Sequence, residues 1–511
     1  MALLTERYAK KIAGVLGCYD RVVIQGTLPG ICFAEGMTGY LKRNKIRIFD
    51  YPEFAKPFRD ELRENAERLA AENGIEIEFV RNHETRKEKL IKEILQKRGD
   101  HPGLVHILSA MESCSTYKPW HDKKTGETYL KPDRGRCLHY YFYFIDEKLG
   151  LCYVRVPTWC PFRLQIYFNG HGWLAAQLRQ RGIEFTLIEN GFCAIADWTQ
   201  AQRLADQFTV EVLHERLDKF ARNFCPVIQH FEAEYHWSFM QSEYATDIVF
   251  HRQSDLADIY ETPTRTTIHA VKPENVATFL GRKLNGNYQD EMGNDFHTRI
   301  EGTRIKHYMG PVSIKMYDKF HLILRIETTT NDVSFFKHYR EVEHRGHPGR
   351  RRKKRHFAWA KMKKSIYSLT PLRQVLAAAN QRYLEFISTL DDCSAGIKHL
   401  NKISRTVVDN ERSYSGFNLF DEEDQTLFET IARGEFNIRG FQNKHLRQHL
   451  SGKTGARTSR LLKRLRLHGL IKKVHGTYRY YLTKLGRHAT AAGLQLKQLF
   501  LIPQLATAMA G

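Results

Sequence analysis

The chain has 511 residues, which suits two to four folded domains, and its 79 Lys and Arg against 57 Asp and Glu give a formal net charge of +22. A hydrophobic content of 42% with 12% aromatic residues argues against disorder. The sequence contains no run of eighteen apolar residues, which a membrane-spanning helix would need. The polar N-terminus lacks the apolar region of a secretion signal. Nine cysteines without a Cys-x-x-Cys pair exclude zinc ribbons and disulfide frameworks, and we expect reduced thiols in a cytoplasmic protein.

Residues 1–225 alternate helical and strand patterns, which predicts an α/β body. The pattern of Leu4–Leu16 is helical, and the apolar segment Arg21–Gly26 reads as a strand. Asp20 directly precedes this strand. We interpret it as a cap or turn residue rather than as the first carboxylate of a ribonuclease H-like nuclease, in which the acid lies within the strand. Close-set aromatic and β-branched segments from Cys137 to Phe168 predict antiparallel hairpins.

Residues 226–344 are predicted to form a second, mixed α+β domain. Two of its segments, Ser313–Lys319 and Leu322–Thr329, alternate polar and apolar residues as two strands of a hairpin do. One face of this hairpin would be apolar and the other would be charged. The side chains predicted to share the charged face are Lys315, Tyr317, Lys319, Arg325, Glu327 and Thr329.

The strings Lys-Met-Tyr-Asp-Lys and Leu-Arg-Ile-Glu of this hairpin resemble a hairpin of the rolling-circle replication initiators of plasmids and filamentous phages. The resemblance implies that Glu327 helps to bind Mg²⁺ or Mn²⁺ and that Tyr339, in a helix predicted for 335–340, attacks a DNA phosphate. Lys315 and Tyr317 are further catalytic candidates. The His-hydrophobic-His pair of that family is absent from the chain. The alternative is structural, with Glu327 in a salt bridge to a neighbouring base.

Glu243 and Asp247 are further candidate metal ligands. If their segment is helical, the spacing i, i+4 places both carboxylates on one face, where they could hold a hard cation. The glycines match no phosphate-cradling loop, so no nucleotide cofactor is expected.

A basic island covers 345–364, with ten Lys and Arg and no acid. We predict a basic loop that closes over a nucleic-acid backbone. A helix and a linker are expected to follow at 365–417. The island's candidate DNA-binding residues are Arg351, Arg352, Lys353, Lys354 and Arg355.

The segment 418–511 is the most distinctive part of the chain. Phe436–Gly511 carries fifteen Lys and Arg and no acid, as expected of a surface that binds a polyanion. Its patterns predict three helices and then a two-stranded hairpin. The helices are predicted at Glu422–Arg433, Asn443–Leu450 and Gly455–His468, and the strands at Ile471–Val474 and Tyr478–Leu482.

From Thr458 to Thr483 this segment resembles the winged-helix domains of MarR-type regulators. The resemblance implies that the third helix enters the major groove of DNA and that the hairpin holds the flanking backbone. Such regulators are usually small, so their ligand sensing is not expected in this chain. The candidate DNA-binding residues here are Lys453, Arg457, Arg460, Lys463, Arg464, Lys472, Lys473 and Arg479.

The sequence thus predicts an α+β multidomain protein with an N-terminal α/β body, a central mixed β-rich domain and a C-terminal winged helix. The expected function is DNA binding in a mobile element or plasmid-type system, with metal-dependent strand processing of the replication-initiator or transposase kind. One alternative is a non-catalytic transcription regulator that binds as a homodimer, and a second is a structured-RNA binder. Double-stranded DNA is the expected partner ahead of single strands or RNA, and no membrane partner is expected.

Overall fold

The computed structural model describes residues 3–81, 86–231, 233–257, 259–260, 271–282, 288, 290–299, 302–343, 355–391, 393–433, 436, 440–450, 452–495 and 502. The chain divides into two compact units, Met1–Asp391 and Asp392–Gly511. Both units mix helices and strands. Among the described residues, no helix has the length and apolar character needed to cross a membrane. The eight cysteines whose thiols are described form no disulfide bond with one another.

Strands dominate the first unit. The strands of the chain are β1 Ile12–Thr27, β2 Ile77–Phe79, β3 Gly103–His121, β4 Thr128–Asp146, β5 Gly150–Pro157, β6 Leu164–Asn169, β7 Phe185–Ile188, β8 Gly191–Ile195, β9 His236–Phe250, β10 Met292–Arg299, β11 Gly302–Met309, β12 Val312–Lys319, β13 Ile323–Thr330, β14 Lys337–Glu343, β15 Arg355–Lys361, β16 Val407–Asp409, β17 Arg412–Tyr414, β18 Ile471–Lys473 and β19 Tyr480–Leu482.

Helices cover the sheet of the first unit and form most of the second. The α-helices are α1 Leu4–Arg7, α2 Ala34–Arg43, α3 Tyr51–Glu72, α4 Lys87–Arg98, α5 Gly170–Gln180, α6 Trp198–Asp206, α7 Val210–Phe224, α8 Pro273–Phe279, α9 Leu369–Asp391, α10 Cys393–Ser404, α11 Glu422–Ile431, α12 Asn443–His449, α13 Gly455–Leu467 and α14 Lys484–Gln495.

One eleven-stranded sheet organises the first unit, in the order β10-β11-β12-β13-β9-β1-β6-β5-β4-β3-β2. All neighbours are antiparallel except β2 and β3. The long strands β1 and β9 lie at its centre. Each is followed along the chain by a four-stranded meander that returns to its side, β3–β6 beside β1 and β10–β13 beside β9. The two halves of the sheet therefore repeat one connectivity.

The central strands are covered on both faces. On one face α9 packs against β9 and β13, and the Asn380 side chain donates hydrogen bonds to the carbonyl oxygens of Tyr244 at 3.0 Å and Ile326 at 3.1 Å. On the other face α5, α6 and the β7–β8 hairpin enclose a smaller core that includes Leu16 and Phe192. Both halves of the sheet contribute to the main hydrophobic core, which explains why they form one unit.

This continuous sheet corrects the predicted division of the unit. The sequence assigned 1–225 and 226–344 to separate domains, but β1 and β9 pair along almost their whole length. The helix predicted for Leu4–Leu16 is limited to α1, and β1 begins at Ile12. From Ile12 onward the backbone is extended because β1 pairs with strands that are distant in sequence. This pairing stabilises the strand more than the local sequence pattern favours a helix.

Three further local predictions are wrong. The segment 335–340, predicted as a helix, is a short 3₁₀ turn followed by β14. Of the helix and linker predicted for 365–417, the helix is confirmed as α9, but the segment predicted as linker contains the helix α10 and the β16–β17 hairpin. Of the predicted basic loop, 345–354 lies outside the described residues, and 355–361 forms strand β15 paired with β14.

The second unit has a hydrophobic core of its own. Its element order after α10 and β16–β17 is three helices (α11–α13), the β18–β19 hairpin and α14, so the helices and strands predicted from Glu422 to Leu482 are confirmed. The core includes Phe428, Phe441, Leu446, Leu465 and Leu482.

Candidate carboxylate site on the central sheet

A charged cluster lies on one face of the central sheet. Strands β9, β12 and β13 contribute alternate residues to this face, and Lys315 is directly opposite Glu327 in the β12–β13 register. In β1 the pairing with β9 shifts between Tyr19 and Val22, so that two residues of β1 oppose one residue of β9. This β-bulge carries Asp20, and bulges commonly redirect side chains next to functional sites.

The bulge brings a third carboxylate to two that the sequence had singled out. One carboxylate oxygen from each of Asp20, Glu243 and Glu327 lies within 4.8 Å of the other two. Asp20 and Glu327 are each only 3% exposed, while Glu243 is partly accessible to solvent. Like charges this close are unfavourable unless cations or protons compensate them.

Lys315 supplies a positive charge between two of these carboxylates. Its Nζ atom lies 2.6 Å from Glu327 Oε1 and 3.4 Å from Glu243 Oε1. The Tyr317 hydroxyl donates to the other oxygen of Glu327 at 2.8 Å, and the Thr329 hydroxyl donates to Glu243 at 3.1 Å. Both side-chain oxygens of Glu327 are therefore hydrogen-bonded.

Burial and these neighbours change the protonation of the site. Burial, followed by repulsion from Glu327, raises the pKa of Glu243. Burial alone would lower the pKa of Lys315, but the attraction of Glu327 and Glu243 outweighs it and raises that pKa. Burial also raises the pKa of Tyr317 well above its ordinary value. Lys315 is thus a cation and Tyr317 a neutral hydrogen-bond donor near neutral pH.

Arg325 holds the deeper half of the cluster. This guanidinium is fully buried and binds Asp247 through Nε at 2.6 Å and Nη2 at 2.7 Å, and Asp20 through Nη1 at 2.9 Å. Asp20 also accepts hydrogen bonds from Asn169 at 2.6 Å and from Asn190 at 2.7 Å and 2.8 Å. Three side chains thus orient Asp20 through four hydrogen bonds.

Arg325 also sets the ionisation of its two acidic partners. Burial would raise the pKa of Asp20 and of Asp247, but Arg325 and His171 outweigh this effect and hold both values below the ordinary range. Lys319 lies beside the cluster, where burial and then the charge of Arg325 lower its pKa to about 8. The acids of the deeper half are therefore charged near neutral pH, and Arg325 and His171 compensate them.

The structure separates the predicted site residues into two groups. Glu327, Lys315, Tyr317 and Glu243 are brought together, as the hairpin pattern predicted for three of them. Tyr339 lies instead on β14, outside the large sheet, with its ring against Phe357 and Trp359.

Asp247 is not placed as the helical hypothesis for its segment required. The segment is strand β9, in which residues four apart lie on one face but are separated by about 13 Å instead of about 6 Å. Both oxygens of Asp247 are bound by Arg325, and Asp20 stands in its place beside Glu243.

Sequence reasoning missed Asp20 and the residues that orient it. Asp20 lies inside β1 and not at a cap or turn, so the interpretation of this residue was wrong. An acid flanked on both sides by strand-forming residues was the available signal. Asn169 and Asn190 gave no signal, because the end of β6 and the β7–β8 turn that carry them meet Asp20 only in the folded chain.

The predicted DNA-binding residues also fall into groups. Arg351, Arg352, Lys353 and Lys354 lie outside the described residues, and Arg355 begins β15. In the second unit, three bases are tied to acids. These pairs are Lys453 with Glu423 at 2.7 Å, Lys463 with Asp409 at 2.8 Å and Arg464 with Asp424 at 2.7 Å. The other five predicted residues of this unit, Arg457, Arg460, Lys472, Lys473 and Arg479, are exposed.

Three clustered carboxylates form a donor set suited to a hard divalent cation such as Mg²⁺ or Mn²⁺. Lys315 now compensates two of them, so a metal ion would take over its electrostatic role. Comparison with known proteins adds no assignment: no family model, curated protein or solved structure matches this chain.

Proposed function

We propose that this protein processes DNA strands with the help of a divalent metal ion bound at Asp20, Glu243 and Glu327. The observation that carries the proposal is the meeting of these three carboxylates within 4.8 Å on the central sheet. A bound Mg²⁺ or Mn²⁺ would polarise a phosphate oxygen and lower the pKa of a coordinated water. Glu243 is the most accessible of the three acids, so substrate would approach from its side.

The surrounding residues have defined roles in this proposal. Asn169, Asn190 and Arg325 hold Asp20 in one orientation, as a preformed site requires. Lys315, which remains protonated, can stabilise negative charge that develops on a phosphate. Tyr317 donates a hydrogen bond to Glu327, and its raised pKa keeps the hydroxyl neutral.

The second unit supports a DNA substrate. Its helix order and hairpin agree with the winged helix that the sequence resembles, and we propose that α13 and the β18–β19 hairpin bind duplex DNA. Arg457, Arg460 and Arg479 are exposed there and available to phosphates or base edges. Association with a mobile element or plasmid is part of the proposal only through the sequence resemblance of the β12–β13 hairpin to replication initiators.

A second candidate function is a non-catalytic DNA-binding regulator. It is favoured by the compensation of the cluster, in which Lys315, Lys319, Arg325 and His171 accompany four carboxylates. Buried networks of this kind also serve structure alone.

The deciding experiment uses the full chain with end-labelled single- and double-stranded DNA, with and without Mg²⁺ or Mn²⁺. We expect metal-dependent strand cleavage that falls by about 100-fold or more in Glu327→Gln and Asp20→Asn. Mn²⁺ should also raise the melting temperature of the wild type but not of Glu327→Gln, because only the intact site binds the ion.

The matched control is Glu112→Gln. Glu112 is a partly buried acid on β3 of the same sheet, bound by Lys87 and Arg155 at 2.7 Å each, and it is not part of the carboxylate group. This variant should keep both cleavage and the Mn²⁺ effect. Absence of cleavage and of any Mn²⁺ effect in the wild type would leave the regulator as the function.

A further inference from the structure

The β14–β15 hairpin presents three large aromatic side chains to solvent on one face. Tyr339 is 60% exposed, Phe357 62% and Trp359 70%. Tyr339 is directly opposite Trp359 in the strand register, and Phe357 lies two residues before Trp359 and therefore on the same face. Exposed aromatic groups of this size usually mark a binding surface.

The three rings form a continuous surface. The ring centre of Tyr339 lies 5.7 Å from that of Phe357 and 6.2 Å from that of Trp359. The planes are inclined by 31° and 56°, so the rings contact one another without being covered. We call Tyr339, Phe357 and Trp359 the aromatic platform.

Positive charge accompanies the platform. Lys337 and Lys361 are exposed, are opposite each other in the register and share its face. The segment 345–364 carries ten Lys and Arg and no acid. Glu341 also lies on this face and Glu343 ends β14, but residues 337–361 carry ten Lys and Arg against these two acids. An apolar protein partner would leave this positive charge uncompensated. A polyanion with flat aromatic groups complements both the exposed rings and the positive charge.

We propose that the aromatic platform stacks the bases of single-stranded DNA while the neighbouring lysines contact its phosphates. Bases offer their faces to protein side chains only when they are unstacked, so a duplex does not fit this surface. The choice of DNA over RNA rests on the proposed strand-processing function. Tyr339, which the sequence suggested as a nucleophile, is then a stacking residue.

The test measures binding of the full chain to a fluorescent 20-nucleotide oligo-dT, a duplex of equal length and an oligo-U RNA. We expect Trp359→Ala and Phe357→Ala to weaken oligo-dT binding by roughly fivefold or more each, because each removes a ring on which one base stacks. Trp359→Phe should keep most of the affinity, and duplex binding should be unchanged in all three variants. Oligo-dT should quench tryptophan fluorescence in the wild type and less in Trp359→Phe.

Trp120→Ala is the matched control, since Trp120 is an exposed tryptophan on the β3–β4 hairpin. It should bind like the wild type. The platform proposal would be overturned if Trp359→Ala bound oligo-dT as tightly as the wild type does. It would also be overturned if Trp359→Ala lost as much affinity for the duplex as for oligo-dT, or if the wild type bound oligo-U more tightly than oligo-dT.

Glu327→Gln separates this inference from the proposed function, because it should keep oligo-dT affinity while losing cleavage. Platform-dependent binding by a wild type that cleaves nothing would refute strand processing alone. If the wild type cleaves DNA but Trp359→Ala leaves the oligo-dT affinity unchanged, only the platform proposal is refuted.

Discussion

At the scale of single residues, Arg325 determines the protein's charged centre. It is the largest fully buried charged side chain among the described residues, and it compensates Asp20 and Asp247 at once. Replacing the arginine of such a group by an uncharged residue lowers the free energy of unfolding by more than the ion pairs contribute to it. The reason is that the remaining carboxylates stay buried without a counter-charge. This makes stability and site geometry depend on the same side chain.

Arg325→Met is therefore expected to lower the free energy of unfolding by about 3–5 kcal/mol at pH 7. Tryptophan fluorescence during urea unfolding reports on the first unit, since all six tryptophans precede Asp391. Arg63→Met, at an exposed pair with Glu67, is the control and should cause no resolvable change. A similarly small effect at Arg325 would contradict the assignment.

The same variant has a predictable dependence on pH. The pKa values of Asp20 and Asp247 are lower in the folded protein than in the unfolded chain, so their contribution is present above about pH 4 and is lost as the pH falls through the folded values. The stability difference between the wild type and Arg325→Met should consequently shrink from pH 5 to pH 3.

At the scale of secondary-structure elements, helix α13 divides its bases between two tasks. Arg464 binds Asp424 of α11 through two hydrogen bonds of 2.7 Å and 3.0 Å and also donates to the carbonyl oxygen of Ser415. Arg460, one helical turn earlier, is exposed. Identical residue types four positions apart therefore differ in function because only one faces a carboxylate.

Arg464→Lys should destabilise the second unit by about 1.5–3 kcal/mol, since lysine cannot reproduce the two-pronged contact with Asp424. Thermal unfolding followed by far-ultraviolet circular dichroism measures this loss. Arg460→Ala should leave stability unchanged and weaken duplex binding instead. The reverse pattern would show that Arg464, as the sequence suggested, contacts DNA.

At the scale of the whole molecule, the carboxylate site and the predicted duplex-binding surface belong to different units. Each unit has its own hydrophobic core, with no core residue in common. The segment Phe436–Gly511, which carries fifteen Lys and Arg and no acid, belongs entirely to the second unit. Binding and chemistry can accordingly be separated by truncation.

A chain ending at Asp391 is expected to retain the Mn²⁺-induced rise in melting temperature and the oligo-dT affinity. It should bind duplex DNA more weakly and with a shallower salt dependence, by about 0.9 in logarithmic slope for each phosphate that the truncated chain no longer neutralises. Fluorescence anisotropy over a series of salt concentrations measures both quantities. Unchanged duplex affinity and slope would place the duplex-binding surface in the first unit.

Local pattern was sufficient for parts of this molecule whose contacts are close in sequence. The apolar spacing of α13 and the alternation in β12 and β13 identified these elements, and the alternation also placed Lys315 and Glu327 on one face. A short hairpin fixes its register through its own turn, and an amphipathic helix is recognisable from a few turns. For the same reason the helices and hairpin of the second unit were predictable.

Only the tertiary structure decided which distant residues form the site. Asp20 meets Glu327 because β1 pairs with β9 and β9 with β13, and a bulge in β1 turns the side chain to the correct face. Asp247 lies across from Arg325 for the same reason. Alternation within a strand specifies its faces but not its neighbours, which are chosen by packing over the whole sheet. The carboxylate site therefore could not be assembled from local sequence pattern.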